Sequence, residues 1–231
     1  MNLMLQPSQD TVNVVKEGIT SPVLQDQIEL WELVTKGGWI MAILGVLALA
    51  AIIVFIERLI LLKKAQGDPE PLLNKVNTAV LRGDIDGATA ACREVTTPMS
   101  RMLTTGLTHI GSSLKNIEAA VENVGKIEIY RLEKNISILG TISGAAPMIG
   151  FFGTVIGMIN AFIAISQEEG SVSPKLLSSG IYEAMITTAG GLFVGILAYV
   201  CYNYLVRQVS EVIHKMEVTS IEFIDLLQRP N

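Results

Sequence analysis

The sequence predicts an all-α membrane protein in which three transmembrane helices carry long cytoplasmic helical extensions. Hydrophobic residues make up 50% of the chain and charged residues only 17%, and the mean hydropathy of +0.47 is high for a soluble domain of this size. The apolar residues collect in three runs, Trp39 to Leu62, Ile136 to Ile165 and Ile181 to Val206. Each exceeds the roughly 20 residues that cross about 30 Å of hydrocarbon at a rise of ~1.5 Å per residue. Three such runs inside one soluble core would leave too little polar surface to cover them. The third observation is that Lys and Arg fall mostly on one side of the runs, which fixes an orientation.

Residues 1–38 form the outer segment. MNLMLQPSQD has neither a basic start nor an apolar run, so no secretory signal is read there and the first span serves as an uncleaved anchor. From Val23 to Val34, Leu24, Ile28 and Trp31 share one face while Asp26, Glu29 and Glu32 lie elsewhere. That pattern suits an amphipathic helix lying at the outer interface, with Trp31 and Trp39 at headgroup level. Gly37 and Gly38 make the bend into the membrane.

The first span, 39–62, reads WIMAILGVLALAAIIVFIERLILL and meets no charge before Glu57 and Arg58. Residues 63–135 form the cytoplasmic helical segment. Pro69 and Pro71 open a run that ends near Arg82, Asp84 caps a second run that closes before Thr96, Thr97 and Pro98, and a third runs from Met99 to about Ile110. Gly111 and Ser112 break it. From Leu114 the pattern is helical, with Glu118, Glu122 and Lys126 on one face, and it is expected to continue as one helix into the second span, 136–165. A short outer loop, 166–180, leads to the third span, 181–206. In the tail, 207–231, a stripe at Val206, Val209, Ile213, Met216, Ser220, Phe223 and Leu227 alternates three and four apart, predicting a coiled-coil-like stalk. That stripe packs on the chain's own cytoplasmic helices, on a second subunit, or on both.

Lys63, Lys64, Arg131, Lys134 and Arg207 stand at the inner span ends, against Lys16, Lys36 and Lys175 on the opposite side. The N-terminus and the 166–180 loop are therefore placed outside, the middle segment and C-terminus in the cytoplasm. A net charge of −5 argues against nucleic acid as a partner. Cys92 and Cys201 are not placed for a disulfide, His109 and His214 read as surface residues, and no metal-spaced cluster occurs, so no cofactor is expected.

The second and third spans carry groups a lipid-facing anchor does not need. Gly140 with Gly144, Gly153 with Gly157, and Gly191 with Gly195 are small-xxx-small pairs. From Pro147 one face runs through Gly150, Thr154, Gly157 and Ala161; in the third span Ala184, Thr188, Gly191, Gly195 and Ala198 form its counterpart. Such faces suit tight helix packing or the lining of a narrow cavity, and periodicity does not separate the two. Glu183, followed by Thr187 and Thr188, adds a carboxylate whose burial near mid-membrane costs on the order of 3 kcal/mol or more, unless it stands at headgroup level. Pro147 breaks the hydrogen-bond ladder inside the second helix and frees a carbonyl.

At these residues the chain resembles a known family. GTISGAAPMIGFFGTVIGMINAF and GIYEAMITTAGGLFVGILAYVCYN are similar to the second and third spans of the ExbB/TolQ proton channels, and more distantly to the flagellar stator subunit MotA. The resemblance runs from about Trp39 to Gln228, includes the Glu57–Arg58 pair, and is greatest to ExbB. It implies a multi-pass protein of the bacterial inner membrane with a periplasmic N-terminus, assembled as a ring-forming homo-oligomer, a pentamer, around a dimer of a single-span ExbD/TolR-like partner. The partner brings the membrane aspartate, and the family's pore residues carry over to Thr154, Thr188 and Glu183, with Thr187 a neighbour. Leu197 stands where many members have a proline, which puts a kink there in doubt.

The resemblance further implies a stator subunit that uses the proton-motive force to energise TonB-dependent transport across the outer membrane through a TonB-like transducer. A TolQ-type subunit of the Tol-Pal cell-envelope system, or a passive membrane scaffold, are the alternatives. An intramembrane enzyme is the weaker rival, since HExxH, GxSxG and a span aspartate are all missing. Three spans where MotA has four disfavour the flagellar reading.

Overall fold

The computed structural model describes residues 37–167 and 174–228. The expected interfacial helix at Val23–Val34, the outer loop residues 168–173 and Arg229 lie outside the described residues. Seven helices are described: α1 (Gly38–Ala65), α2 (Glu70–Leu81), α3 (Ile85–Arg93), α4 (Pro98–Thr108), α5 (Leu114–Glu133), α6 (Ile136–Gln167) and α7 (Pro174–Gln228). Among the described residues the only β feature is an isolated bridge between Ile110 and Ser112.

Three of these helices are long and apolar enough to cross a membrane. α1 opens at Gly38, whose φ of +63° is a conformation L side chains avoid, so the Gly-Gly bend is a backbone requirement. It ends with Lys63 and Lys64 in its last turn, where cations meet the negative end of the helix dipole. α6 and α7 pack together most extensively of all the helix pairs, and α1 lies against both. Towards the C-terminal end of α1, Phe55 and Tyr204 meet edge to face with ring centroids 6.2 Å apart.

The short helices start where their capping chemistry dictates. The Asp84 side chain accepts from the Gly87 amide at 2.8 Å, and Thr97 accepts from Ser100 with Pro98 in the first helical position. α4 and α5 then pack on the lower half of α7. Met99, Leu103, Leu107, Val121, Met216 and Phe223 are fully buried among them. The Phe223 ring occupies the space where a Cβ on Gly106 would stand. Burial of a side chain of that size contributes about 1.5–3 kcal/mol.

The helices differ from the sequence expectation in three places. α5 does not run unbroken into α6, because Asn135 adopts φ +65° between Glu133 and Ile136. Asn tolerates the left-handed region better than other L residues, so one such residue turns the chain at little cost. α7 begins at Pro174, inside the segment expected to be loop, and continues unbroken for 55 residues, roughly 80 Å. Its buried stripe beyond the apolar span is Leu205, Val209, Val212, Met216, Thr219 and Phe223, whereas Val206 is exposed. The seam is therefore offset from the expected one at alternate positions, because the chain's own α4 and α5 sit on that side.

Candidate functional site: the α6–α7 face

The contact between α6 and α7 is built backbone to backbone. A Cβ added to Gly150 would stand 2.8 Å from the Thr187 carbonyl oxygen and 3.0 Å from the Gly191 Cα, and one on Gly191 only 2.6 Å from the Ala146 carbonyl oxygen. Gly157 meets Ala184 and the Gly180 carbonyl in the same way, and the Thr187 side chain fills the hollow at Gly153. Gly195 receives the ring of Pro147, where a Cβ would be 2.5 Å from Cγ and 3.1 Å from the Ser143 carbonyl oxygen. That carbonyl is the one whose helical donor Pro147 removes, so the packed backbone of α7 covers it. Gly140 stands against the Tyr202 ring, at 3.3 Å from a built Cβ, while Gly144 has nothing within 4 Å.

Two threonines converge on one carbonyl. Thr188 Oγ1 donates to the Gly150 carbonyl oxygen across the helix pair at 3.2 Å. In an α-helix that oxygen also receives the amide of the residue four positions on, Thr154. The Thr154 hydroxyl donates back to the Phe151 carbonyl at 2.6 Å, and both threonine side chains are half-buried. Thr187 also donates within its own helix, to the Ala184 carbonyl, but unlike Thr154 it is buried and presents no surface to a neighbour.

Glu183 stands apart from Thr154 and Thr188. It lies five residues, about 7.5 Å along the axis and 140° around it, from Thr188. Its carboxylate faces the start of α1, where a Cβ on Gly38 would be 2.7 Å from Oε1. On that same flank, Met41 of α1 packs over Gly190. The α6–α7 pair thus has one flank covered by α1, with Glu183 beside the N-terminal end of α1, and an opposite flank carrying Thr154 and Thr188.

Most of the polar contacts near the C-terminal end of α1 were not readable as contacts in the sequence. Arg58 is buried, donates from Nη1 to the Arg131 carbonyl at 3.3 Å, and pairs with Glu57 at 3.0 Å. Glu128, buried on α5, accepts from both Arg131 and Arg101. The Glu128–Arg131 spacing of three on one helix was a legible signal; the Arg101 and Arg58 contacts span 27 and 73 residues and left none.

Among the described residues no group of three or more His, Cys, Asp or Glu is placed to hold a metal. Cys92 is buried and Cys201 half-buried, both free. Burial pushes the Cys92 thiol above its ordinary range, partly opposed by a hydrogen bond with Thr104.

Residues 94–218, more than half of the chain, match the model of the MotA/TolQ/ExbB proton channel family. The chain is 29% identical over 201 residues to a putative biopolymer transport protein ExbB homolog of Methanothermobacter thermautotrophicus, covering 85% of this chain and 70% of that one. It is 37% identical over 102 residues to the Tol-Pal system protein TolQ of Haemophilus influenzae, 44% of each chain. With the biopolymer transport protein ExbB of Salmonella typhimurium it shares 36% over 92 residues, 35% of this chain and 37% of the relative. The aligned stretch thus spans under half the length of these TolQ and ExbB relatives.

Proposed function

We propose, because this chain belongs to the MotA/TolQ/ExbB proton channel family, that it is the channel subunit of an ExbB-type inner-membrane motor rather than an enzyme. In this reading the proton-motive force drives protons past the open flank of the α6–α7 pair. That flank faces a single-span partner of the ExbD/TolR type, whose membrane carboxylate takes up and releases the proton. Several copies of the chain, five by the family resemblance, surround the partner. The N-terminus and the α6–α7 loop face the periplasm, and α2–α5 and the lower half of α7 hang in the cytoplasm. The clustering of Lys and Arg at the inner helix ends supports that orientation.

The observation that carries the reading is the Thr188 hydroxyl on the Gly150 carbonyl beside Thr154. With its proton given to a backbone carbonyl, each hydroxyl keeps lone pairs that accept from a protonated carboxyl, so it meets that carboxyl at membrane depth without placing a charge in hydrocarbon. Opposite α1, these two threonines are half-exposed polar groups on an otherwise apolar or glycine surface, where a neighbouring helix meets them. Glu183, at the outer end of α1, serves as the entry-side carboxylate rather than as a neighbour of the threonines. Neutralising the partner's carboxylate changes which faces can pack, and that change is the source of motion delivered to a TonB-like transducer.

A TolQ-type role in cell-envelope maintenance is the second reading, favoured by the similarity to the Haemophilus TolQ protein. Membrane vesicles carrying the chain with its partner test the channel function. Thr188→Ala is expected to reduce proton flux at least tenfold while assembly persists, and Thr188→Ser to retain most of it. Flux unchanged in Thr188→Ala removes this face from the pathway.

A further inference from the structure

The groove between α4 and α5 beneath the inner membrane surface carries more positive charge than the chain neutralises. Arg93, Arg101 and Arg131 line it, and the single carboxylate among its lining residues is Glu128. Glu128 is almost fully buried and bonds both Arg101 and Arg131, so it fixes two guanidinium groups on the wall while cancelling one charge. Arg93 has no carboxylate within ion-pair distance among the described residues, and neither Glu94 nor Glu133 lines the groove. Arg58 braces the wall from behind through its bond to the Arg131 carbonyl, its own charge being paired with Glu57.

The depth of this groove is set by the same contact. Arg58 lies 20 residues below Gly38 in α1, about 30 Å, and about 7.5 Å before Lys63 at the end of the 39–62 span, in the innermost part of the hydrocarbon layer. The Arg131 carbonyl is therefore at the inner boundary of the hydrocarbon layer, and the groove descends along α5 through Ile127 to Val124, about 10 Å further. Tyr130 and Ile127 are 71% and 54% exposed on this stretch, an aromatic and an aliphatic side chain at headgroup level.

A cationic groove with an apolar wall, opening at headgroup depth, has the chemistry of an anionic amphiphile site. We propose that it holds the phosphate of an anionic phospholipid from the leaflet at the Arg58 end of α1, with Arg93, Arg101 and Arg131 on the phosphate and Val124 and Ile127 against the lipid's apolar part. That leaflet is the cytoplasmic one under the orientation proposed above, but the binding itself does not depend on proton conduction. A bound lipid also gives the cytoplasmic helices a fixed height relative to the membrane.

The test is native mass spectrometry of the full chain, released from mixed micelles with phosphatidylglycerol or phosphatidylcholine at equal concentrations. The expected result is preferential retention of phosphatidylglycerol, weakened about fivefold in Arg93→Gln and about 25-fold in the Arg93→Gln/Arg131→Gln double variant. Arg93→Lys should restore most of the single loss. Arg82→Gln, at the C-cap of α2 and away from the groove, should leave retention unchanged. Millimolar inorganic phosphate is not expected to displace the lipid. Equal retention in wild type and Arg93→Gln, with both folded by circular dichroism, overturns the proposal. Displacement by inorganic phosphate also overturns it and marks a cytosolic phosphate site instead. Because flux is not read, failure here leaves the channel reading intact, and a flux failure leaves this one intact.

Discussion

Substituting alanine for Gly191 probes whether the α6–α7 contact is as close as its geometry requires. The added Cβ would sit 2.6 Å from the Ala146 carbonyl oxygen and 2.8 Å from the Gly150 Cα, both main-chain atoms that no rotamer change can move. Reaching even the 3.0–3.4 Å of the tightest ordinary contacts requires the helices to separate by about 0.4–0.8 Å. Overpacking of this kind costs about 1–3 kcal/mol. The same separation lengthens the Thr188–Gly150 bond from 3.2 Å towards about 4 Å, beyond hydrogen-bonding range. Alanine is also a better helix former than glycine, by up to about 1 kcal/mol, which masks part of the loss. Gly144→Ala cancels that contribution, because Gly144 is in the same kind of helix with nothing within 4 Å of a built Cβ. The quantity to compare is thus the difference between the two variants in thermal unfolding of the detergent-solubilised chain. It should be about 1–3 kcal/mol, or roughly 2–12 °C in midpoint, with Gly191→Ala the less stable. Equal midpoints, or a greater loss in Gly144→Ala, would refute the packing argument.

Three further outcomes follow from other parts of the molecule. Glu128→Ala removes the shared acceptor of Arg101 and Arg131; because both arginines remain partly hydrated, the loss should be about 1–3 kcal/mol by thermal unfolding, and a variant as stable as wild type would count against the cluster. Asn135→Ala should destabilise by about 1 kcal/mol and Asn135→Gly by less, since φ +65° suits glycine; the reverse order in the same assay would contradict the left-handed turn. Burial raises the pKa of the Cys92 thiol, so its reactive thiolate fraction at pH 8 falls below that of an ordinary cysteine and grows only at higher pH. In a Cys201→Ala background, iodoacetamide should therefore label Cys92 slowly at pH 8 and faster at pH 10, whereas labelling at pH 8 as fast as a free thiol in urea would show the site to be open.

What could be read from the sequence divides along physical lines. The bilayer sets a length scale of about 20 apolar residues, so the run from Trp39 to Leu62 announces itself by composition alone. Caps are equally local, and Asp84 and Thr97 mark the helices they begin. The glycine stripe was legible as a stripe because helical spacing puts Gly150, Gly157 and Ala161 on one face. Which glycine touches what was not: Gly140 and Gly144 form the same small-xxx-small pair, yet one meets Tyr202 and the other open space. Periodicity reports a face, not its occupant. The Lys134–Asn135 break was hidden because one residue's φ changes it and neither residue opposes a helix strongly. The offset of the tail stripe reflects where α4 and α5 dock, a tertiary fact that a pattern of threes and fours does not contain.

Glu183 illustrates the limit for the site itself. Sequence spacing grouped it with Thr187 and Thr188, and their three side chains point to the start of α1, to Gly153 and to the Gly150 carbonyl respectively. A helix turns 100° per residue, so the adjacent Thr187 and Thr188 diverge around its axis, while Glu183, four residues before Thr187 and near its face, lies about 6 Å away along it.

Proton flux into vesicles bearing the chain and its single-span partner, measured for wild type, Thr188→Ala and Thr188→Ser at matched assembly, bears most directly on the central claim. A hydroxyl pathway along the open α6–α7 flank predicts a loss of at least tenfold in Thr188→Ala and recovery in Thr188→Ser, and equal flux in all three would contradict it.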